Sequence, residues 1–170
     1  MNLWNLHRGD SALVLDVPHA GTHVPDAIRL RLTDAARALP DTDWHVEKLY
    51  DFARMTGATL ICATHSRYVV DLNRDPTGVA LYEGADNTEL CPTRTFANDP
   101  IYLGGDVPFE REVLARRSTY FDTYHAALAS EIERVRTAHG YVVLLDGHSI
   151  FVTDRTSGSF GPYNTVCPCN

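Results

Sequence analysis

The sequence predicts an α/β protein built around a mostly parallel sheet. Short apolar runs rich in Val, Ile and Leu alternate with helical patterns, and this alternation is typical of strands joined by crossover helices. The runs lack a regular apolar and polar alternation, as expected for strands that are covered on both faces. The length of 170 residues suits one domain with a sizeable core.

Four runs are predicted strands, and turn-forming residues bound three of them. The first run ends at Pro18, the second follows Gly57 and the last follows Gly140, and both residue types commonly interrupt regular structure. The third run is expected to pair beside the second. The four runs cover residues 12–17, 58–63, 68–72 and 141–146.

Two helices are predicted between these strands. The first covers residues 43–57, with Asp43 as its N-cap and Gly57 as its stop. The second covers residues 110–139 and ends at Gly140. Apolar residues recur at helical spacing in both. In the first helix the predicted inward face consists of Trp44, Leu49, Phe52 and Ala53.

The composition argues against several classes of partner. The net charge is -7, from 15 Lys and Arg against 22 Asp and Glu, so no basic surface for nucleic acid or an anionic membrane is predicted. The first ten residues lack the pattern of a signal peptide, and no apolar run approaches the roughly 20 residues of a membrane helix. We therefore predict a cytoplasmic protein, and the oligomeric state stays open.

Histidines follow two of the predicted strands. His19 follows the first strand in "DVPHAG", and His148 follows the last in "DGHS". Ligands collect at the carboxyl ends of strands in open α/β sheets, so the two imidazoles are expected to converge. Asp43 is a candidate third ligand, which would complete the three protein ligands of an open catalytic zinc site. The alternatives are solvated loop histidines and an aspartate that only caps its helix.

A second polar cluster lies in "HSRYVVDLNRD". Arg67 and Arg74 bracket the apolar run, and Asn73 adds an amide beside Arg74. A guanidinium group can bind a carboxylate through two parallel hydrogen bonds, so these side chains are candidates for binding an acidic substrate. Salt bridges from the two arginines to Asp71 and Asp75 are an equally good interpretation.

Several stretches between residues 13 and 150 together match one family. They read, in chain order, "LDVPHAGTHVPD", "LPDTDWHVEKLYDFA", "GATLICATHSRYVVDLNRDP", "CPTRTF", "PIY", "YHAAL" and "HGYVVLLDGHS". In these the sequence resembles the N-formylglutamate amidohydrolases, also called N-formylglutamate deformylases. The resemblance implies a three-layer α/β/α fold like that of the zinc carboxypeptidases. It also implies zinc-dependent cleavage of N-formyl-L-glutamate to glutamate and formate, the last step of one histidine-degradation route.

The resemblance assigns ligands to one catalytic zinc ion. His19 and His148 match metal ligands, and Asp43 matches the carboxylate ligand. Asp41 is a near neighbour that could take the place of Asp43. Asp146 is a candidate to orient the His148 imidazole from outside the ligand set.

The resemblance also assigns residues to the substrate, a small acidic N-acyl amino acid. Asn73 and Arg74 match groups that hold its carboxylate, and Arg67 matches the group that polarises the scissile carbonyl. Two other functions stay open. One is a non-catalytic remnant that binds a metal or an acidic ligand, and the other is a related hydrolase acting on a different N-acyl amino acid.

The resemblance ends near residue 150. The family continues with further strands and helices and, in a carboxypeptidase-like arrangement, a glutamate base, whereas residues 151–170 contain no Glu. We therefore expect residues 1–150 to form the N-terminal portion of one amidohydrolase domain whose C-terminal part is missing. Residues 151–170 are expected to form a divergent, poorly ordered tail after a truncation or frame shift. Without the base, little or no activity is expected, and residues 141–145 should form an exposed apolar edge.

Overall fold

A four-stranded mixed sheet forms the centre of the protein. A computed structural model describes residues 2–77, 89–151 and 164–165. The sheet order is β1-β3-β2-β4, in which β2, β3 and β4 are parallel and β1 is antiparallel to β3. The predicted α/β class is confirmed, and β1 was not predicted. The strands are β1 (Trp4–His7), β2 (Leu13–Val17), β3 (Thr59–Ala63) and β4 (Val143–Asp146).

The longest helical segment follows the prediction. It runs without interruption from α4 (Glu110–Arg116) through a π-helical turn (Arg117–Phe121) into α5 (Asp122–His139). It ends at Gly140, whose φ of 80° lies in the left-handed region that favours glycine. The other helical elements are α1 (Asp26–Arg29), α2 (Asp34–Arg37), α3 (Val46–Leu49) and the 3-10 turns Asp51–Arg54 and Leu103–Gly105.

Helices cover both faces of the sheet, which gives the predicted three layers. Successive side chains of a strand point to opposite faces, so each central strand contributes to two cores. One core joins Val14 and Ile61 to Phe121, Tyr124, Leu128 and Val135 of the long helical segment. The other joins Leu15, Val17 and Leu60 to Val46, Tyr50 and Ala53.

The prediction of one helix over residues 43–57 was wrong. His45 has a φ of 67°, so a right-handed helix cannot run through it from Asp43. The segment instead forms α3 and the 3-10 turn that follows, and Asp43 caps neither. The predicted inward face was wrong as well, because Trp44, Leu49 and Phe52 are 44–47% exposed.

The predicted strand at residues 68–72 was also wrong. This segment forms turns, although Tyr68, Val69 and Val70 are almost fully buried. Its backbone is held by hydrogen bonds outside any sheet, including Asp71 N to Leu90 O at 2.8 Å. A short apolar run indicates burial, and periodicity alone cannot show that it is a strand.

The last strand of the parallel set forms one edge of the sheet. β4 pairs with β2 on one side only in the described part of the chain. Val143 and Leu144 point to opposite faces and are 52% and 47% exposed. The expected exposed apolar edge is therefore present.

Beyond β4 lie a turn, residues 147–149, and a small two-stranded ribbon. β5 (Ile150–Phe151) pairs antiparallel with β6 (Asn164–Thr165). The rest of the predicted tail, residues 152–163 and 166–170, lies outside the described residues. In the described part of the chain, every helix is too short or too polar to cross a membrane.

Candidate metal and substrate site

The turn after β2 carries His19 into a buried position. His19 is 3% exposed, and its carbonyl oxygen accepts a hydrogen bond from Asp43 N at 3.1 Å. This bond places Asp43 beside the turn. Gly21 allows the turn to pack closely, because a Cβ there would lie 2.2 Å from the His65 carbonyl oxygen.

The turn after β4 carries His148 to the same end of the sheet. Gly147 N donates to the carbonyl oxygen of Asp16 at 2.7 Å, which holds this turn against β2. A Cβ on Gly147 would lie 2.6 Å from the Tyr50 ring, so only glycine fits without a shift. The ring centroids of His148 and His19 are 4.9 Å apart. Parallel pairing of β2 and β4 is therefore what brings the two imidazoles together.

His19, Asp43 and His148 form a cluster that could hold a metal ion. One ligand atom from each lies within 4.8 Å of the others. Both Nδ1 atoms face the same Asp43 oxygen, Oδ2, at 3.9 Å from His19 and 3.0 Å from His148. Two imidazoles and a carboxylate are a donor set that suits zinc and other divalent transition metals.

Asp41 lies outside this cluster and has other partners. Its Oδ2 accepts hydrogen bonds from the Tyr68 hydroxyl at 2.8 Å and from Phe96 N at 3.0 Å. Of the two neighbouring aspartates, Asp43 is therefore the one that the structure brings to the histidines.

A second carboxylate contacts the far nitrogen of each imidazole. His19 Nε2 lies 2.7 Å from Asp71 Oδ1, and His148 Nε2 lies 3.2 Å from Asp146 Oδ2. A histidine that donates its Nε2 proton to a carboxylate keeps the Nδ1 lone pair for a metal. Asp146 has the position predicted for it. Asp71 was not predicted as a partner of His19, because no local pattern relates residues that lie 52 positions apart.

The electrostatics favour a neutral His19 beside an ionised Asp71. Burial lowers the pKa of the His19 imidazole. Burial acts to raise the pKa of Asp71, but the His19 hydrogen bond and the charges of Arg67 and Arg74 lower it below its usual range. Only a neutral imidazole can ligate a metal, so His19 is already in the required form.

His148 has the opposite electrostatic environment. Burial acts to lower the pKa of His148, but hydrogen bonds and negative charge from Asp146 and Asp43 raise it to about 10. At neutral pH this imidazole therefore carries a proton that a metal must displace.

The arginines meet the metal cluster at Asp71. Arg67 is 5% exposed, and its Nη2 donates to Asp71 Oδ2 at 2.5 Å. Arg74 Nε lies 3.7 Å from the same oxygen, and the Asn73 side-chain amide lies 2.9 Å from His148 Nε2. The salt bridge from Arg67 to Asp71, one of the interpretations considered from the sequence, is therefore present.

Phe96 covers the Arg67 guanidinium. Its ring centroid lies 4.4 Å from Cζ of Arg67, which is close enough for a cation–π interaction. Phe96 belongs to the "CPTRTF" stretch that carries part of the resemblance. Sequence reasoning gave this residue no role, because nothing in the sequence relates it to Arg67.

Comparisons with known proteins agree with one another. A sequence model described as N-formylglutamate amidohydrolase matches residues 11–163. N-formylglutamate deformylases from Pseudomonas putida and Pseudomonas aeruginosa are 42% and 41% identical over 86% and 84% of this chain. The chain spans 54% and 53% of those two relatives, about half of their length.

Solved structures show the same fold. The N-formylglutamate amidohydrolase from Ralstonia eutropha superposes with a TM-score of 0.68 at 28% identity, covering 86% of this chain and 56% of that one. A gene product from Agrobacterium tumefaciens superposes with a TM-score of 0.70 at 22% identity, covering 95% and 61%. Because the family match extends over most of the sequence, this chain belongs to the N-formylglutamate amidohydrolase family.

Proposed function

We propose that the site binds one zinc ion and hydrolyses N-formyl-L-glutamate to L-glutamate and formate. The observation that carries this proposal is the network in which Asp71 joins the metal-ligand candidate His19 to Arg67 and Arg74. A candidate metal ligand and the groups proposed to bind the substrate therefore contact the same buried carboxylate, that of Asp71. The names of the curated relatives point to the same substrate.

Three residues form the proposed ligand set. His19, Asp43 and His148 would hold the ion, with both histidines binding through Nδ1. Asp71 and Asp146 would keep their rings in place through Nε2. Zinc in such a site supplies an activated water and polarises a carbonyl oxygen.

The polar residues next to the cluster suit an acidic amide. Arg74 and Asn73 would hold a carboxylate of the substrate, since guanidinium and amide groups donate to carboxylate oxygens. Arg67 would donate to the formyl oxygen as negative charge develops on it. Asp71 contacts the guanidinium through Nη2, and a guanidinium group carries five N–H donors in all.

A second candidate function is binding without turnover. Hydrolysis also needs a base that accepts a proton from water and passes it to the leaving amine. The carboxylates next to the cluster, those of Asp43, Asp71 and Asp146, each contact an imidazole. Carboxylates that position imidazoles in this way support binding of the ion and of an acidic ligand without turnover.

We place this reaction in the cytoplasm, as a step of histidine degradation. The support is the membership of the chain in the N-formylglutamate amidohydrolase family. The family match does not choose between N-formylglutamate and other N-acyl amino acids. Relative rates on N-formylglutamate and N-acetylglutamate would make that choice.

One experiment separates the candidates. The zinc-loaded full chain is given N-formylglutamate, and both binding and formate release are measured, with the chelator-treated chain as control. Formate release that requires zinc would establish the deformylase function. Zinc-dependent binding without formate would establish the second candidate, and the absence of both would refute the two together.

A further inference from the structure

An exposed aromatic ring lies on a buried cation beside the metal cluster. Phe96 is 62% exposed, whereas Arg67 beneath it is only 5% exposed. A large apolar side chain at the surface gains little from burial there. Its contact with the guanidinium at 4.4 Å therefore needs another explanation.

The backbone of Phe96 is tied to the residue next to Arg67. Asp41 Oδ2 accepts hydrogen bonds from Phe96 N at 3.0 Å and from the Tyr68 hydroxyl at 2.8 Å. Tyr68 is 1% exposed and therefore forms a fixed anchor. Asp41, the aspartate that does not join the metal cluster, thus links the two segments on which Phe96 and Arg67 lie.

The guanidinium is restrained in two directions. Asp71 holds one of its edges through Nη2 at 2.5 Å, and the Phe96 ring covers a face. A planar group that is fixed at an edge and at a face has little freedom to turn. A cation is attracted to the face of an aromatic ring, and the attraction grows when the pair is shielded from water.

We propose that Phe96 is a positioning residue that holds the Arg67 guanidinium in the orientation that meets the acyl oxygen of the substrate. This rests on the proposed function, in which Arg67 donates to that oxygen. Phe96 thereby acts on substrate binding through Arg67. The aromatic face is the property that matters, since an aliphatic side chain of similar size offers bulk without attracting a cation.

The test compares three variants of the full chain. Phe96→Leu removes the aromatic face, Phe96→Trp keeps and strengthens it, and Phe109→Leu is a matched control because Phe109 is 65% exposed. The first readout is the NMR shift of the Arg67 side-chain protons, which a ring 4.4 Å away must displace. The second is the affinity of the zinc-loaded chain for N-formylglutamate, and thermal melting monitors folding.

Phe96→Leu is expected to abolish the ring-induced shift and to weaken substrate binding about 3- to 10-fold, as expected for losing a cation–π contact. Phe96→Trp should restore both, and Phe109→Leu should change neither. An unaltered Arg67 shift in Phe96→Leu, or a Trp variant that behaves like the Leu variant, would overturn the proposal. If the unmodified chain does not bind N-formylglutamate, the proposed function fails, and the Arg67 shift still decides whether Phe96 positions the guanidinium.

Discussion

Replacing Asp71 with asparagine should damage both the folded protein and its metal site. Asp71 is 0% exposed and contacts His19 at 2.7 Å and Arg67 at 2.5 Å. Asparagine keeps the size of the side chain but removes its charge, so the buried Arg67 guanidinium loses its ionic partner. Breaking a buried ion pair in this way costs about 3–5 kcal/mol.

The free energy of unfolding lost in Asp71→Asn should be larger at neutral pH than in acid. The pKa of Asp71 is below its usual range in the folded protein, so its contribution is complete above the unfolded pKa of about 4. It is lost as the pH falls toward the folded pKa. The free energies of unfolding of wild type and Asp71→Asn should therefore differ most near pH 7 and converge in acid.

The same substitution should weaken metal binding. Asp71 fixes the His19 ring through Nε2, and removing such an outer partner typically reduces metal affinity about 10- to 100-fold. Urea unfolding at several pH values measures the first effect, and zinc competition with a chelator measures the second. Asp51→Asn is the control, because the Asp51 carboxylate is 71% exposed and its salt bridge to Arg54 lies at the surface. A loss in the free energy of unfolding below about 1 kcal/mol at pH 7, or an unchanged zinc affinity, would show that Asp71 does not join the arginines to the metal site.

Three further substitutions test other parts of the structure. Burial raises the pKa of Asp16 to about 6, so the folded state binds the extra proton and stability falls as the pH rises from about 4 to about 6. Asp16→Asn should remove this loss, which makes the variant more stable than wild type at pH 8 by up to about 3 kcal/mol in urea unfolding. A variant no more stable than wild type at pH 8 would contradict this. Val143→Lys places a charge on the exposed edge strand and should reduce concentration-dependent self-association in sedimentation. Met55→Lys is the control and should not, because Met55 is 91% exposed and lies outside the sheet. Equal effects of the two substitutions would show that self-association does not involve the edge strand. Gly21→Ala should destabilise the chain by about 1–3 kcal/mol and weaken zinc binding, because the added Cβ would lie 2.2 Å from the His65 carbonyl oxygen. A melting temperature and a zinc affinity equal to those of wild type would contradict the close packing at this turn.

The sequence was informative where function depends on the position of a residue after a buried strand. His19 and His148 follow β2 and β4, and parallel pairing alone makes them neighbours. Asp43 reached the site for a reason that the sequence did not show. It was predicted both as a candidate metal ligand and as the cap of a long helix. The helix does not form, and the left-handed conformation of His45 and the bond from Asp43 N to the His19 carbonyl oxygen place Asp43 beside His19.

Long-range polar contacts could not be predicted. Asp71 lies 52 positions from His19, and Phe96 lies 55 positions from Asp41, so neither pair leaves a local pattern. The apolar run that contains Tyr68 predicted burial correctly but not its turns. A buried segment can satisfy its backbone outside a sheet when neighbouring loops and side chains supply partners.

Calorimetric titration of the metal-free chain with zinc measures binding at the proposed site itself. We expect one zinc ion per chain, with binding lost in His19→Ala and Asp43→Ala. Binding should be retained in Asp41→Ala, because Asp41 bonds to Tyr68 and Phe96 and lies outside the cluster. Saturable zinc binding that survives Asp43→Ala, or no zinc binding by the unmodified chain, would contradict the proposed metal site.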